Sequence, residues 1–417
     1  MHAVSDDDAP LLHDLMPWSV RPLRIGRGWP MAPDAATLRD RWAQLTAAPE
    51  EAERAALLQP TRARGLHSRV AQLPGHRTAT TALAREEGRC PEPVEIRHGP
   101  YDRQWLIPDH RLIDAARPEL WRVLDEEQVF AVEQPWLPDL DEPALAFSAL
   151  LPDGSAPAGR PGRIRPLFRQ PGGRDPNLAP GLADLLSARL ATEVSAREVL
   201  AWIAAAARTG PGGCEVPLPA EPGAWSRGLA LGGQLLWLHT RGARFTDPAA
   251  GRGPGGPPRL PGGSRPYVRA PLPADPAGED LEYDREQREL RIGAGRISPV
   301  SPAAWDRTAG GVRVLEAWWE RRTAPGAPGS LEALRPPRWT RSTTSDLLEV
   351  VSVLTLLADL DEARQALARR LADGTGRTLG AAALRAAGVL PVPAARRRPA
   401  SVLDHREEGP DGQFALV

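Results

Sequence analysis

The sequence predicts an α+β fold of mixed sheet segments with a helical spacer or bundle, and three patterns predict it. From Leu281 to Ile292 apolar residues alternate with charged ones, Leu281 and Tyr283 before a polar tip (Arg285, Glu286, Gln287) and Leu290 and Ile292 after it. Period-two alternation belongs to strands with one buried and one wet face, so this stretch reads as a hairpin. The period then changes. Val314, Leu315, Trp318 and Trp319 share one face of a short helix, with Arg321 and Arg322 where the helix dipole favours cations. Leu347, Leu348, Val351, Leu354, Leu357, Leu360, Leu367 and Leu371 keep a helical period from a Ser345 cap to Gly374. Between hairpin and helices, Gly293 and Gly295 break the strand, and Ser301-Pro302 offers an N-cap with proline at the first helical position.

The run RIGAGRISPVSPAAWDRTAGGVRVLEAWWERR (Arg291 to Arg322), followed by RWT at residues 338–340 and the Leu-rich helix, resembles a known family. It is similar to the C-terminal specificity, or target-recognition, domain of type ISP restriction–modification enzymes, single chains in which nuclease, translocase, methyltransferase and recognition domain are fused. HGPYDRQWLIPDHRLID (His98 to Asp114) is similar to a second segment of that family. So is the helix of Leu182 to Arg208 with the LALGGQLLWLHT that comes later (Leu229 to Thr240). The resemblance runs in order from about His98 to Leu371. It implies a target-recognition-domain-like fold with a helical spacer, and double-stranded DNA as the ligand.

In chain order, residues 1–93 read as an N-terminal mixed region. An acidic tail (Asp6-Asp7-Asp8) leads to Met16–Met31, read as a strand with a turn, and Asp34 to Ala56 reads as one helix or two with Leu38, Trp42 and Leu45 on one side. Pro60 to Pro91 is weakly periodic and holds Arg62, Arg64, Arg69 and Arg77; a solvated loop and a DNA-facing segment both fit it.

Residues 94–246 read as a first recognition-domain half. Val94 and Ile96, then Tyr101, Arg103 and Trp105, alternate as a hairpin. In one reading Tyr101 and Trp105 pack a core while Asp102 pairs Arg103; in the other Arg97, His98 or Arg103 faces a groove. Short strands follow from Val129 to Leu151. Gly154 to Pro180 reads as a long loop holding Arg160, Arg163, Arg165, Arg169 and Arg174, either disordered or a DNA clamp. Two helices span Leu182 to Arg208, the second opened by the capping-box spacing Ser195-x-x-Glu198, and another runs from Leu229 to Leu238, with His239 read as a capping or packing residue. Residues 247–280 read as a Pro/Gly-rich linker, 281–373 as the C-terminal hairpin and helices, and 374–417 as a tail with a final short helix and the cluster Arg396-Arg397-Arg398.

Composition narrows the function. The net charge is −1, yet all 52 basic residues are arginine and none is lysine. Arginine forks onto phosphates and reads guanine edges, so a DNA surface here is expected as a local patch balanced by acids elsewhere. Without lysine, a P-loop, a lysine-dependent nuclease site and Schiff-base chemistry cannot be built in their usual forms. The Asn/Asp-Pro-Pro-aromatic tetrad of an amino-methyltransferase is missing, as are HExxH and GxSxG. Two cysteines, Cys90 and Cys214, without CxxC spacing argue against a zinc ribbon or a disulfide scaffold and for a reducing cytoplasm. No apolar run approaches the ~20 residues of a membrane span.

The expectation is a non-catalytic DNA sequence-recognition protein of a restriction–modification or phage-defence system, with no cofactor and no metal, acting with a separate methyltransferase or restriction/translocase subunit. The alternatives are an orphaned family member that binds protein, or an enzyme with an unfamiliar site. The arginines expected at DNA sit in or beside breaks between elements: Arg296, Arg338, Arg341, Arg163 and Arg165, with Arg103 on the hairpin.

Overall fold

A computed structural model describes residues 9–135, 137, 142–155, 162–210, 212–246, 256–276, 278–372 and 377–400. The acidic tail at Asp6-Asp7-Asp8, Arg160, Gly374 and the polar C-terminal tail lie outside the described residues. The fold is mixed α+β, with small antiparallel sheets among helices.

One short strand divides the interior into two cores. Phe130–Glu133 is the middle of a three-stranded sheet, between Leu145–Ser148 and Ile164–Pro166. Phe130 and Val132 join a cluster with Trp18, Trp29, Trp42 and Leu106. Val129 and Ala131 join another with Trp202, Trp237 and Trp318. Successive side chains point to opposite faces of a strand, so a sheet buried on both faces reads as a continuous apolar run. Residues on both sides of the expected boundary at 93, such as Trp42 and Ile96, share the first core.

The first core is closed by the helices Ala35–Ala47 and Glu51–Leu58 and by a sheet in which Asp102–Leu106 lies between Met31–Ala32 and Val94–His98. The hairpin forms as expected, with Val94 opposite Leu106 and His98 opposite Asp102, but its second strand buries Asp102, Gln104 and Leu106 and leaves Arg103 and Trp105 half-buried. The second core is helical. Ala196–Ala206 carries the full capping box between Ser195 and Glu198, packs on Pro222–His239, and stacks Trp202 on Trp225 at 5.5 Å. His239 is buried there against Tyr101, as a packing residue.

The C-terminal hairpin also forms as expected and pairs Leu281 with Ile292 and Tyr283 with Leu290. Gly293 does not end the sheet. At φ +54 it turns the chain back into Gly295–Ser298, whose Ile297 faces Leu290. Part of the expected linker, Tyr267–Ala270, then pairs as the fourth strand.

The long helix differs from its expected form. It spans Arg341–Asp359, and its cap is Thr340, which accepts from the Thr343 amide, instead of Ser345. A second helix, Asp361–Ala372, begins after Leu360, with Asp361 and Glu362 in the first turn, where the dipole favours acids. Uninterrupted apolar spacing through Leu360 hides that break.

The expected loop from Gly154 to Pro180 contains strands at Ile164–Pro166, Phe168–Gln170 and Arg174–Pro176. Their pattern is obscured because Arg165 and Arg169 point inward. Arg396 and Arg397 of the expected C-terminal cluster clasp Asp175 and Asp14, at 2.7 and 2.9 Å. No helix among the described residues is long and apolar enough to cross a membrane.

Candidate nucleic-acid interface

The hairpin of residues 94–106 is anchored from beneath by a buried ion network. Asp102 is 1 % exposed and accepts from Arg321 Nε at 2.7 Å and Arg322 Nη2 at 2.8 Å. Burial alone would raise this carboxyl's pKa; Arg322 and Arg321 outweigh burial and hold it well below the usual carboxylate range. Asp346 on the long helix accepts from Arg322 and Trp318, and the Arg322 guanidinium lies 3.8 Å from the centre of the Trp318 ring. The expected pairing of Asp102 with Arg103 is replaced by this network, and Arg103 reaches Glu349 instead, at 3.2 Å. Arg97 is also internal, donating to the carbonyls of Phe147 and His239. His98 is half-buried. Its Nδ1 lies 2.5 Å from Asp153, so Nε2 is the ring nitrogen that remains for a ligand.

Above this base, three hollows share their walls. The first has a volume of about 940 Å³ and is walled by Arg21, Arg24, Arg27, Arg117 and Arg163, with Asp153 as its acid. The second, of about 510 Å³, is walled by Gln59, Gln104, Arg321, Glu332 and Arg335 among others. Met31 and His98 belong to both. A third hollow of about 70 Å³ shares Pro33, Arg322, Arg335 and Pro336 with the second and adds Arg338 and Trp339. This row of adjoining hollows, the first and third of which meet only through the second, makes a trough lined with guanidinium groups.

The local chain explains how these groups gather. Gly26 has φ +85, and a Cβ there would collide with the Asp114 carboxylate, so only glycine lets Arg24 and Arg27 bend around that acid. Thr61 donates to Asp114 at 2.6 Å. Arg27 reaches Thr61 and the Arg64 carbonyl through Nη2, while its Nε and Nη1 are buried and find no hydrogen-bond partner among the described residues. Burial lowers its pKa, with Asp114 opposing. Across the trough, a Cβ on Gly326 would overlap the backbone of Glu332, so that loop closes tightly enough to present Glu332 beside Gly28. Arg41 fastens the loop, donating to the carbonyls of Trp29, Met31 and Leu334.

The expected arginines divide. Arg163 and Arg338 line the trough and are exposed. Arg163 is held by Ser19 at 2.9 Å, and no partner of Arg338 is found among the described residues. Arg341 is exposed at the start of the long helix, two residues before Thr343 in the third hollow. Arg103 and Arg296 lie outside the trough lining, and Arg296 folds back onto the Gly293 and Gly295 carbonyls at 2.7 Å. Arg165, expected in a loop, is instead a strand residue, 4 % exposed, whose guanidinium is spent on Glu133 at 2.6 Å and on the Met16 carbonyl.

Sequence reading missed Arg21, Arg24, Arg27, Arg117, Gln59 and Glu332. The run RPLRIGRG (Arg21 to Gly28) was the available signal, since a glycine between arginines marks a tight basic turn. Gln59 and Glu332 are far apart in sequence, and nothing local joins them. Among the described residues no group of His, Cys, Asp or Glu is placed to hold a metal ion.

The model of the type ISP C-terminal specificity domain matches residues 14–210 and 212–350. No curated protein matches the chain. Among solved structures, the chain is similar to a DrdV–DNA complex, with 14 % identity and a TM-score of 0.55 over 86 % of this chain and 38 % of that one. It is also similar to the ATP-dependent type ISP restriction–modification enzyme LlaBIII bound to DNA, with 11 % identity and a TM-score of 0.51 over 86 % of this chain and 23 % of that one. The chain thus spans well under half the length of either, and at these identities the likeness is one of fold.

Proposed function

The chain belongs to the type ISP C-terminal specificity domain family, and from that premise we propose that it binds double-stranded DNA in the arginine-lined trough and recognises a sequence there. The observation that carries this reading is the first hollow. Five arginines wall it, four of them (Arg21, Arg24, Arg117 and Arg163) exposed or half-exposed and Arg27 buried behind them, and its acid, Asp153, is already engaged by His98. Such a surface suits phosphate oxygens, whose binding releases condensed counterions and steers association. Both similar structures were solved with DNA, which supports the same ligand here.

Arg24, Arg163, Arg338 and Arg341 hold backbone phosphates, and the mixed polar groups between them face the bases. The protein itself performs no chemistry, and a separate methyltransferase or restriction/translocase subunit in the cytoplasm acts on the DNA it selects. Within this sequence, lack of lysine and of the methyltransferase tetrad supports recognition over chemistry.

The test is selection from a random-sequence duplex library with the purified chain at two salt concentrations. Enrichment of one motif, with affinity falling steeply as salt rises, is expected. A folded protein that binds no duplex at low salt would overturn the reading in favour of protein binding, unless an added partner subunit restores binding.

A further inference from the structure

The second hollow differs in chemistry from the first, and the difference assigns it a job. Glu332 sits in the trough with Gln59, whose Nε2 donates to Glu332 Oε2 at 3.0 Å. A carboxylate only accepts, so this bond fixes which end of the Gln59 amide faces it. Among the described residues no hydrogen bond is made to the Glu332 Oε1 atom, which lies beside Gly28, or to the oxygen of the Gln59 amide. Arg321 spends Nε on Asp102 and is 30 % exposed, and Arg335 spends Nη1 on the Thr323 carbonyl. His98 stands at the junction of the two hollows.

An ionised carboxylate facing a phosphodiester would repel it. A carboxylate beside an amide and guanidinium edges instead matches the donors and acceptors of base edges, where carboxylates accept from the cytosine amino group and arginine donates to guanine. We propose that Gln59 and Glu332, flanked by Arg321, are the specificity-determining residues of the trough, with Glu332 accepting a hydrogen bond from the exocyclic amino group of a base. This rests on the trough being the DNA-binding surface.

The test repeats the duplex selection with Glu332→Gln and Gln59→Asn. Glu332→Gln keeps the size of the side chain and an acceptor for Gln59. Gln59→Asn suits the left-handed backbone at this position (φ 55) while shortening the reach. Equal melting temperatures show that both variants fold. With wild type, one motif is selected. With either variant the preference at one base pair is expected to change or relax by roughly 5- to 150-fold, while the salt slope and the affinity for unrelated duplexes stay the same.

Identical motifs for wild type and both folded variants would overturn the assignment and leave DNA recognition standing. A uniform gain in affinity for all sequences with Glu332→Gln would also overturn it, since the carboxylate would then be facing phosphate. A wild type that selects no motif would remove the premise and the assignment together.

Discussion

Replacing Asp102 by asparagine probes the joint beneath the proposed DNA surface. The carboxylate is 1 % exposed and binds two guanidinium groups, and removing one partner of a buried ion pair typically costs about 3–5 kcal/mol. The lower end applies here. Arg322 keeps Asp346 at 3.1 Å and the carbonyls of Trp318 and Arg103, and Arg321, at 30 % exposure, can turn to water. Asparagine also retains an acceptor for Gln104. The expected loss is about 3 kcal/mol, which for a chain of 417 residues unfolding as one unit is a fall in Tm of about 3–4 °C.

The same substitution has a pH signature. Because the folded-state pKa of Asp102 is depressed, its contribution is full above the unfolded value of about 3.9 and is lost as pH falls toward the folded value. At pH 3 about 1 kcal/mol of it should be gone, so the gap between wild type and Asp102→Asn narrows by about a third. Thermal melts at pH 7 and pH 3 measure both effects. A Tm difference below 1 °C at pH 7, or a gap that widens in acid, would refute the network as described.

Two further expectations follow from burial. Trp318→Ala should cost about 3–5 kcal/mol, because the side chain is 0 % exposed, donates to Asp346 at 3.0 Å and stacks under Arg322; an unchanged Tm would contradict this. Burial pushes the Cys90 and Cys214 thiols up to about 12, so both should resist iodoacetamide at pH 8 in the native protein and label fully in denaturant, whereas fast native labelling of either would contradict it.

Local periodicity carried much of the fold. Leu281 to Ile292 and Val94 to Leu106 formed the expected hairpins, and Ser195 and Glu198 formed the capping box their spacing implied. What failed was legibility of buried charge. Arg165 and Arg169 look like solvated loop residues, yet each points inward to an acid, at Glu133 and Asp175, so the strands around them were read as a loop. The break at Leu360 was hidden for the opposite reason, an apolar pattern that continues across it.

The candidate site was legible only in part. Arg163 and Arg338 could be placed at breaks between elements, but the trough joins them to Arg24, Gln59 and Glu332 through tertiary packing alone. Gly26 and Gly326 show why. Each is fixed by a close approach, to Asp114, which is distant in sequence, in one case and to the Glu332 backbone of the same loop in the other, and neither approach leaves a sequence pattern.

The central claim, that the trough is the DNA surface, is tested most directly by the salt dependence of duplex binding. Titrations of wild type would be compared with Arg24→Ala, Arg163→Ala and Arg338→Ala in the trough, and with Arg227→Ala and Arg369→Ala, which are exposed on helices elsewhere. Each trough variant should weaken binding to all sequences alike and reduce the slope of log K against log salt by roughly one, while the two others bind as wild type does. Trough variants that keep the wild-type slope, or helix variants that lose as much as they do, would contradict it.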